Sequence, residues 1–311
     1  MKQPWINPSD APVIEQSLHD YIVSVIRAQK GPRVEIVPIS PGAEATRGWD
    51  AAVVEAVPLF FQYKLPDFTS RPAQFHPRAY RARKEFGFND ESGFFHFSLR
   101  KKATKVPKSQ HELMLEMEEN GYPTYYVSTV FIDQSRLRFG GELHDSGRPW
   151  ISREHYIRHE GETALDYMAP WFKGLICIPP FKAVSAPVER HKFIYNDNLE
   201  VSLHSEPTQA RAVPLTQVIF DQAFHFGTES SINNENVGTH IDRVLLAIAG
   251  GAQHEKQISS VKEFYESLQT GSEKYRNSLM GQLRPMAQVV KALTGIDVFF
   301  TVRLKHRRPI W

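Results

Sequence analysis

Three polar side chains sit in an otherwise apolar stretch near the start of the chain: an acid at Asp50, an amide at Gln62 and an amine at Lys64. A further acid, Glu15, lies upstream. In an extended strand alternate residues share a face, so Gln62 and Lys64 project together with Phe60, while Asp50 shares a side with Ala52 and Val54. The runs Ala51-Ala52-Val53-Val54 and Leu59-Phe60-Phe61 read as strands covered on both faces, where a polar group needs a partner or a task. A carboxylate and an amide oxygen are hard ligands that can hold Mg²⁺ or Mn²⁺. An ammonium beside them can orient water or offset charge building on a phosphoryl group. The chemistry such a set would serve is phosphodiester hydrolysis.

Two elements must position these groups. Residues 48–65 are expected to form a β-hairpin whose turn lies near Ala56-Val57-Pro58. A turn centred on residue 56 sets Asp50 opposite Gln62, and one centred on 57 sets it opposite Lys64. Upstream, Asn7-Pro8-Ser9-Asp10 offers capping side chains before a helix expected over residues 12–29. Ile14, Leu18, Tyr21, Ile22, Val25 and Ile26 make its apolar stripe, and Gly31-Pro32 ends it. At 100° per residue Glu15 falls between Ile22 and Ile26. It either enters the core, where a carboxylate needs a partner or metal, or lies at the stripe's solvent edge, where an acid suits a helix N-terminus.

Strands are also expected at residues 33–39, 94–99, 125–131 and 297–304, and helices at 109–120, 239–249, 259–268 and 281–293. The fold class is therefore α/β: a mixed-sheet domain over residues 1–145, then a mixed α/β region of unknown role over 146–311 that could pack on the same sheet. With 311 residues, 41% of them hydrophobic and 23% charged, the chain suits a folded globular protein. A formal charge of +2 neither demands nor excludes a polyanionic partner. Locally, Arg81, Arg83, Lys84, Arg100 and Lys101 are interleaved with aromatic residues, which fits either nucleic-acid contacts or a solvated face. One cysteine, Cys177, set in an apolar run, fits a reducing compartment and a core position. Without an apolar leader or a spanning run, a cytoplasmic protein with no membrane partner is expected.

The segment Glu44-Ala45-Thr46-Arg47-Gly48-Trp49-Asp50, followed by Phe60-Phe61-Gln62-Tyr63-Lys64, resembles the PD-(D/E)XK nuclease superfamily, which includes restriction endonucleases and Holliday-junction resolvases. The resemblance covers the first 130 residues. It implies a restriction-endonuclease-like αβββαβ core, with Glu15, Asp50, Gln62 and Lys64 as the active centre, and Asp50, Gln62 and Glu15 as ligands of Mg²⁺ or Mn²⁺. Gln62 stands where most members carry an acid, and in this the chain is similar to type IV restriction enzymes and some transposon endonucleases. DNA is the implied substrate, in restriction or defence, with a homodimer or a partner protein of a defence system as the assembly. Loss of the acid also allows an inactive nuclease fold that binds nucleic acid or serves assembly.

Other candidates carry weaker signals. Glu44 could replace Glu15, and Gln110 and His111 open a helix where an ordinary N-terminus suffices. His155 and His159 have the four-residue spacing of zinc ligands but lack an adjoining glutamate and a third ligand. An unrelated α/β enzyme with its chemistry beyond Asp145 would need them in a pocket. Gly250-Gly251 lacks the Lys-Ser/Thr ending of a phosphate loop, and Arg303, Lys305, His306, Arg307 and Arg308 form a basic tail.

Overall fold

The computed structural model describes residues 12–28, 34–38, 53–70, 77–88, 93–101, 106–134, 137, 174–204 and 207–304. In chain order these form α1 (Glu15–Ala28), β1 (Val34–Pro38), β2 (Val53–Tyr63), β3 (Asp67–Thr69), α2 (Pro77–Glu85), β4 (Phe94–Ser98), α3 (Gln110–Glu119) and β5 (Thr124–Thr129). There follow β6 (Leu175–Ile178), β7 (Lys192–Tyr195), β8 (Glu200–Leu203), β9 (Gln209–Arg211), β10 (Val213–Pro214) and α4 (Leu215–Asp221). The last are α5 (Val237–Ile248), α6 (Glu255–Leu268), α7 (Glu273–Arg276), α8 (Leu279–Thr294) and β11 (Asp297–Leu304). The protein is mixed α/β, with parallel and antiparallel strand pairs.

Two compact units interleave along the chain. One comprises Met1–Ala28, Gln62–Lys101 and Tyr125–Phe220; the other comprises Gln29–Phe61, Lys102–Thr124 and Asp221–Trp311. The division therefore does not fall at one point near residue 145, a position that lies outside the described residues.

In the first unit, β3-β4-β7-β8-β9 form an antiparallel sheet. A second set, β5-β6-β10, is also antiparallel. Aromatic rings fill the space between: Phe97 and Phe193 of the first sheet each lie 5.4 Å from Tyr126 of β5, and Phe95 stacks on Tyr195 at 5.8 Å. Each ring contributes its buried area and a tilted or stacked contact worth ~1 kcal/mol beyond it. Leu18 and Ile22 anchor α1 as fully buried residues. Ile14 is 50% exposed and does not join them, because it precedes the first helical residue and falls off the helical lattice. Cys177 is fully buried in β6, and its burial raises the thiol pKa, which makes it a core residue.

In the second unit β11 pairs antiparallel with both β1 and β2. Helix α8 packs on β11, α5 and α6, and α3 packs on α5. Ser109 caps α3 in a reciprocal box with Glu112, as its Ser-x-x-Glu spacing predicts. Gln110 donates to the Thr294 carbonyl at 2.8 Å and His111 is buried, so both belong to helix docking. Gly250 and Gly251 follow the end of α5 with φ of +92° and +100°, the helix terminus expected there.

The hairpin expected over residues 48–65 does not form: Val53–Tyr63 is one unbroken strand through Ala56-Val57-Pro58. Its antiparallel partner is β11, which brings Phe300 opposite Pro58. Hydrogen-bond direction explains how a proline survives in a strand interior. Even-numbered residues send their N–H away from β11, Ala56 to the Ile232 carbonyl at 2.8 Å and Phe60 to the Pro123 carbonyl at 2.9 Å. The donor missing at Pro58 falls on that side, between those two bonds, so the β2–β11 ladder loses nothing.

Candidate functional site

Lys64 is placed by β5. Its N–H donates to the Val127 carbonyl at 2.9 Å and its carbonyl accepts from the Ser128 hydroxyl at 2.8 Å. With Phe60 bonded to Pro123, both partners advance by four residues, so β5 runs parallel beside the end of β2. The Tyr195 hydroxyl lies 2.7 Å from Ser128 Oγ and donates to the Thr129 carbonyl at 2.8 Å, bracing the clamp from β7. Lys64 thus stays extended just past β2, and Gln62 shares its side.

Lys64 is 4% exposed, with Nζ 5.4 Å from the centroid of the Tyr126 ring. Loss of water lowers its pKa to about 7, the Arg100 guanidinium pushes in the same direction, and the Glu15 carboxylate pushes back. Gln62 is fully buried, and its Nε2 donates to the Tyr63 carbonyl at 2.9 Å, which fixes the amide.

Glu15 is the first residue of α1 and comes within electrostatic reach of Lys64, and three contacts dock that end of the helix. The Val13 N–H donates to the Ile132 carbonyl at 2.8 Å, and Gln134 Nε2 donates to Ser17 Oγ at 3.0 Å. The ring of His19 meets that of Tyr63 edge-on at 5.4 Å. The Glu15 carboxylate is ion-paired with Arg100, which follows β4; the two side chains are 35% and 48% exposed. Of the two positions open to Glu15 in the sequence, it takes the solvent edge, yet it remains within electrostatic reach of Lys64.

Glu15, Gln62 and Lys64 all belong to the first unit, with Glu15 in electrostatic reach of Lys64 and Gln62 two residues before it. Asp50, Glu44, His155 and His159 lie outside the described residues, as does the tail from residue 305. Among the described residues no group of three or more His, Cys, Asp or Glu side chains is placed to hold a metal ion. Their donor set, one carboxylate and one amide oxygen, has the hard-oxygen chemistry that suits Mg²⁺.

Of the basic residues, Arg81, Lys84, Arg100 and Lys101 are exposed, with Lys84 Nζ 5.8 Å from the Tyr80 ring centroid. Arg83 is a correction: it is fully buried, its guanidinium over Phe94 at 5.1 Å and Phe88 at 6.0 Å. Helical rotation turns it inward while Arg81 and Lys84 face water, so it has no place on a phosphate-contacting surface. Arg303 is engaged too, ion-paired with the buried Glu55 and 5.5 Å from the Phe226 ring centroid. Local spacing points neither to the pairing of Arg100 with Glu15, 85 positions away, nor to the places of Tyr126, Ser128 and Tyr195 around Lys64. No protein-family model, curated protein or solved structure matches the chain.

Proposed function

We propose that the chain is a metal-dependent endonuclease that hydrolyses DNA phosphodiester bonds, in restriction or defence, on a restriction-endonuclease-like αβββαβ core. The observation that carries this reading is the convergence of a first-turn helix carboxylate, Glu15, with a buried strand-end lysine, Lys64, two residues beyond a buried glutamine. These are the parts a Glu…Gln-x-Lys centre needs, and they come from segments distant in sequence.

In this reading Glu15 and Gln62 hold Mg²⁺ or Mn²⁺, and Asp50 adds a further carboxylate. The ion, when bound, supplies Lewis-acid stabilisation of phosphoryl charge. Lys64 orients the attacking water or offsets developing charge; its burial strengthens that interaction by excluding solvent. Exposed Arg81, Lys84, Arg100 and Lys101 hold the DNA backbone.

The test is cleavage of linear, supercoiled and branched DNA with Mg²⁺ or Mn²⁺ by the wild type, Asp50→Ala and Lys64→Ala. Loss of at least a hundredfold in both variants is the expected result, and equal rates in all three would remove the mechanism. A second reading, a nuclease fold that binds without cutting, is favoured by one feature: Gln62 removes a negative charge from the centre. Calorimetry with Mn²⁺ separates the two, since the catalytic reading requires binding heat that Asp50→Ala abolishes.

A further inference from the structure

Two cations lie in the neighbourhood of Glu15, and their exposures differ. Lys64 is 4% exposed. The Arg100 side chain is 48% exposed, and exposed Lys101 follows it. Arg100 is therefore the cation that an arriving polyanion can reach, and its planar fork of donors suits two phosphate oxygens at once. The same guanidinium is paired with Oε2 of Glu15, on the carboxylate that the proposed ion would share.

From this geometry, and resting on the nuclease reading above, we infer that Arg100 is a DNA-phosphate residue held in reserve by Glu15, and that exchange of this ion pair couples divalent-ion binding to DNA binding. An ion taking Glu15 Oε2 displaces the guanidinium, and a phosphate taking the guanidinium releases the carboxylate. When both ligands bind, the pair is broken once rather than twice. Each ligand therefore strengthens the other's binding by the same factor, as linkage requires. A half-exposed ion pair sets that factor at about two- to fivefold.

The experiment measures Mn²⁺ binding to the full chain by electron paramagnetic resonance, with and without a phosphorothioate duplex that resists cleavage. DNA affinity is measured against salt without metal. Arg100→Ala is expected to bind Mn²⁺ about two- to fivefold more tightly than wild type in the absence of DNA, to lose the tightening that DNA produces, and to lower the salt slope by about one. Arg100→Lys keeps a competing charge and stays near wild type for the ion. Lys101→Ala lowers the salt slope but leaves Mn²⁺ affinity unchanged. Wild-type Mn²⁺ affinity and undiminished DNA coupling in Arg100→Ala, with thermal stability intact, would overturn the exchange while leaving the nuclease reading standing. If the wild-type chain binds no Mn²⁺, the nuclease reading falls and the inference with it.

Discussion

A lysine that is 4% exposed carries a stability penalty with a definite pH window. The Lys64 pKa is 10.5 in the open chain and about 7 in the fold, so between those values the unfolded state holds a proton that the native state has released. Below pH 7 both states are protonated and the penalty is complete; as pH rises through 7 toward 10.5 it is relieved, so stability climbs. Its size is on the order of 4 kcal/mol, a large part of a domain's net stability. Lys64→Met removes the charge and keeps the stem, so it should raise the denaturant midpoint at pH 6.5 and flatten the climb between pH 7 and 10. A wild-type rise no steeper than the variant's would show that the amine is not desolvated as the structure places it. A residue that weakens the fold in this way is the expected mark of a functional position. Lys64 and Gln62 were legible as unusual positions, being polar types inside an apolar run, and both are buried. Arg83 was not, because a long apolar stem lets a guanidinium be buried against Phe88 and Phe94 with no local pattern to announce it.

Elements with marked ends were readable and the strand without them was not. Helix α3 has its Ser109–Glu112 box and Asn120-Gly121 exit, and β11 was placed residue for residue. In β2 both faces are buried over most of its length, which erases the alternation that fixes a strand's extent, and Pro58 then looks like a turn. The direction of its missing donor is a property of the neighbours Ile232 and Pro123, far away in sequence. The junction of β2 with β5 offers an element-scale check. Ser128 is fully buried and its hydroxyl is a donor to the Lys64 carbonyl, with Tyr195 alongside. Ser128→Ala leaves that carbonyl short of a partner, and it should cost about 1–3 kcal/mol in equilibrium denaturation. A loss below about half a kcal/mol would mean that the clamp does not hold Lys64 in place. Ser128→Thr, which keeps the hydroxyl, should recover part of the loss.

At the scale of the molecule, β-pairing is what escaped the sequence, because strand partners are chosen by burial and register across long separations. Strands β1 and β2 both depend on β11, β4 depends on β7, and β5 depends on β6. All four dependences join residues before 145 to residues after it, inside one unit or the other. A fragment of residues 1–145 would therefore lose β11 from beside β2, and with it the buried Phe299 and Phe300. It would also lose Phe193 and Tyr195, whose rings and hydroxyl complete the core around Tyr126 and Ser128. Removing each large aromatic costs about 3–5 kcal/mol, so the four together cost about 12–20 kcal/mol, as much as or more than the 5–15 kcal/mol that holds a typical domain together. The fragment should show no cooperative denaturant transition by circular dichroism and should expose apolar surface to a hydrophobic dye. A sigmoidal transition from the 1–145 fragment alone would contradict this, and would restore an independent N-terminal domain of the kind the amino-acid pattern suggests.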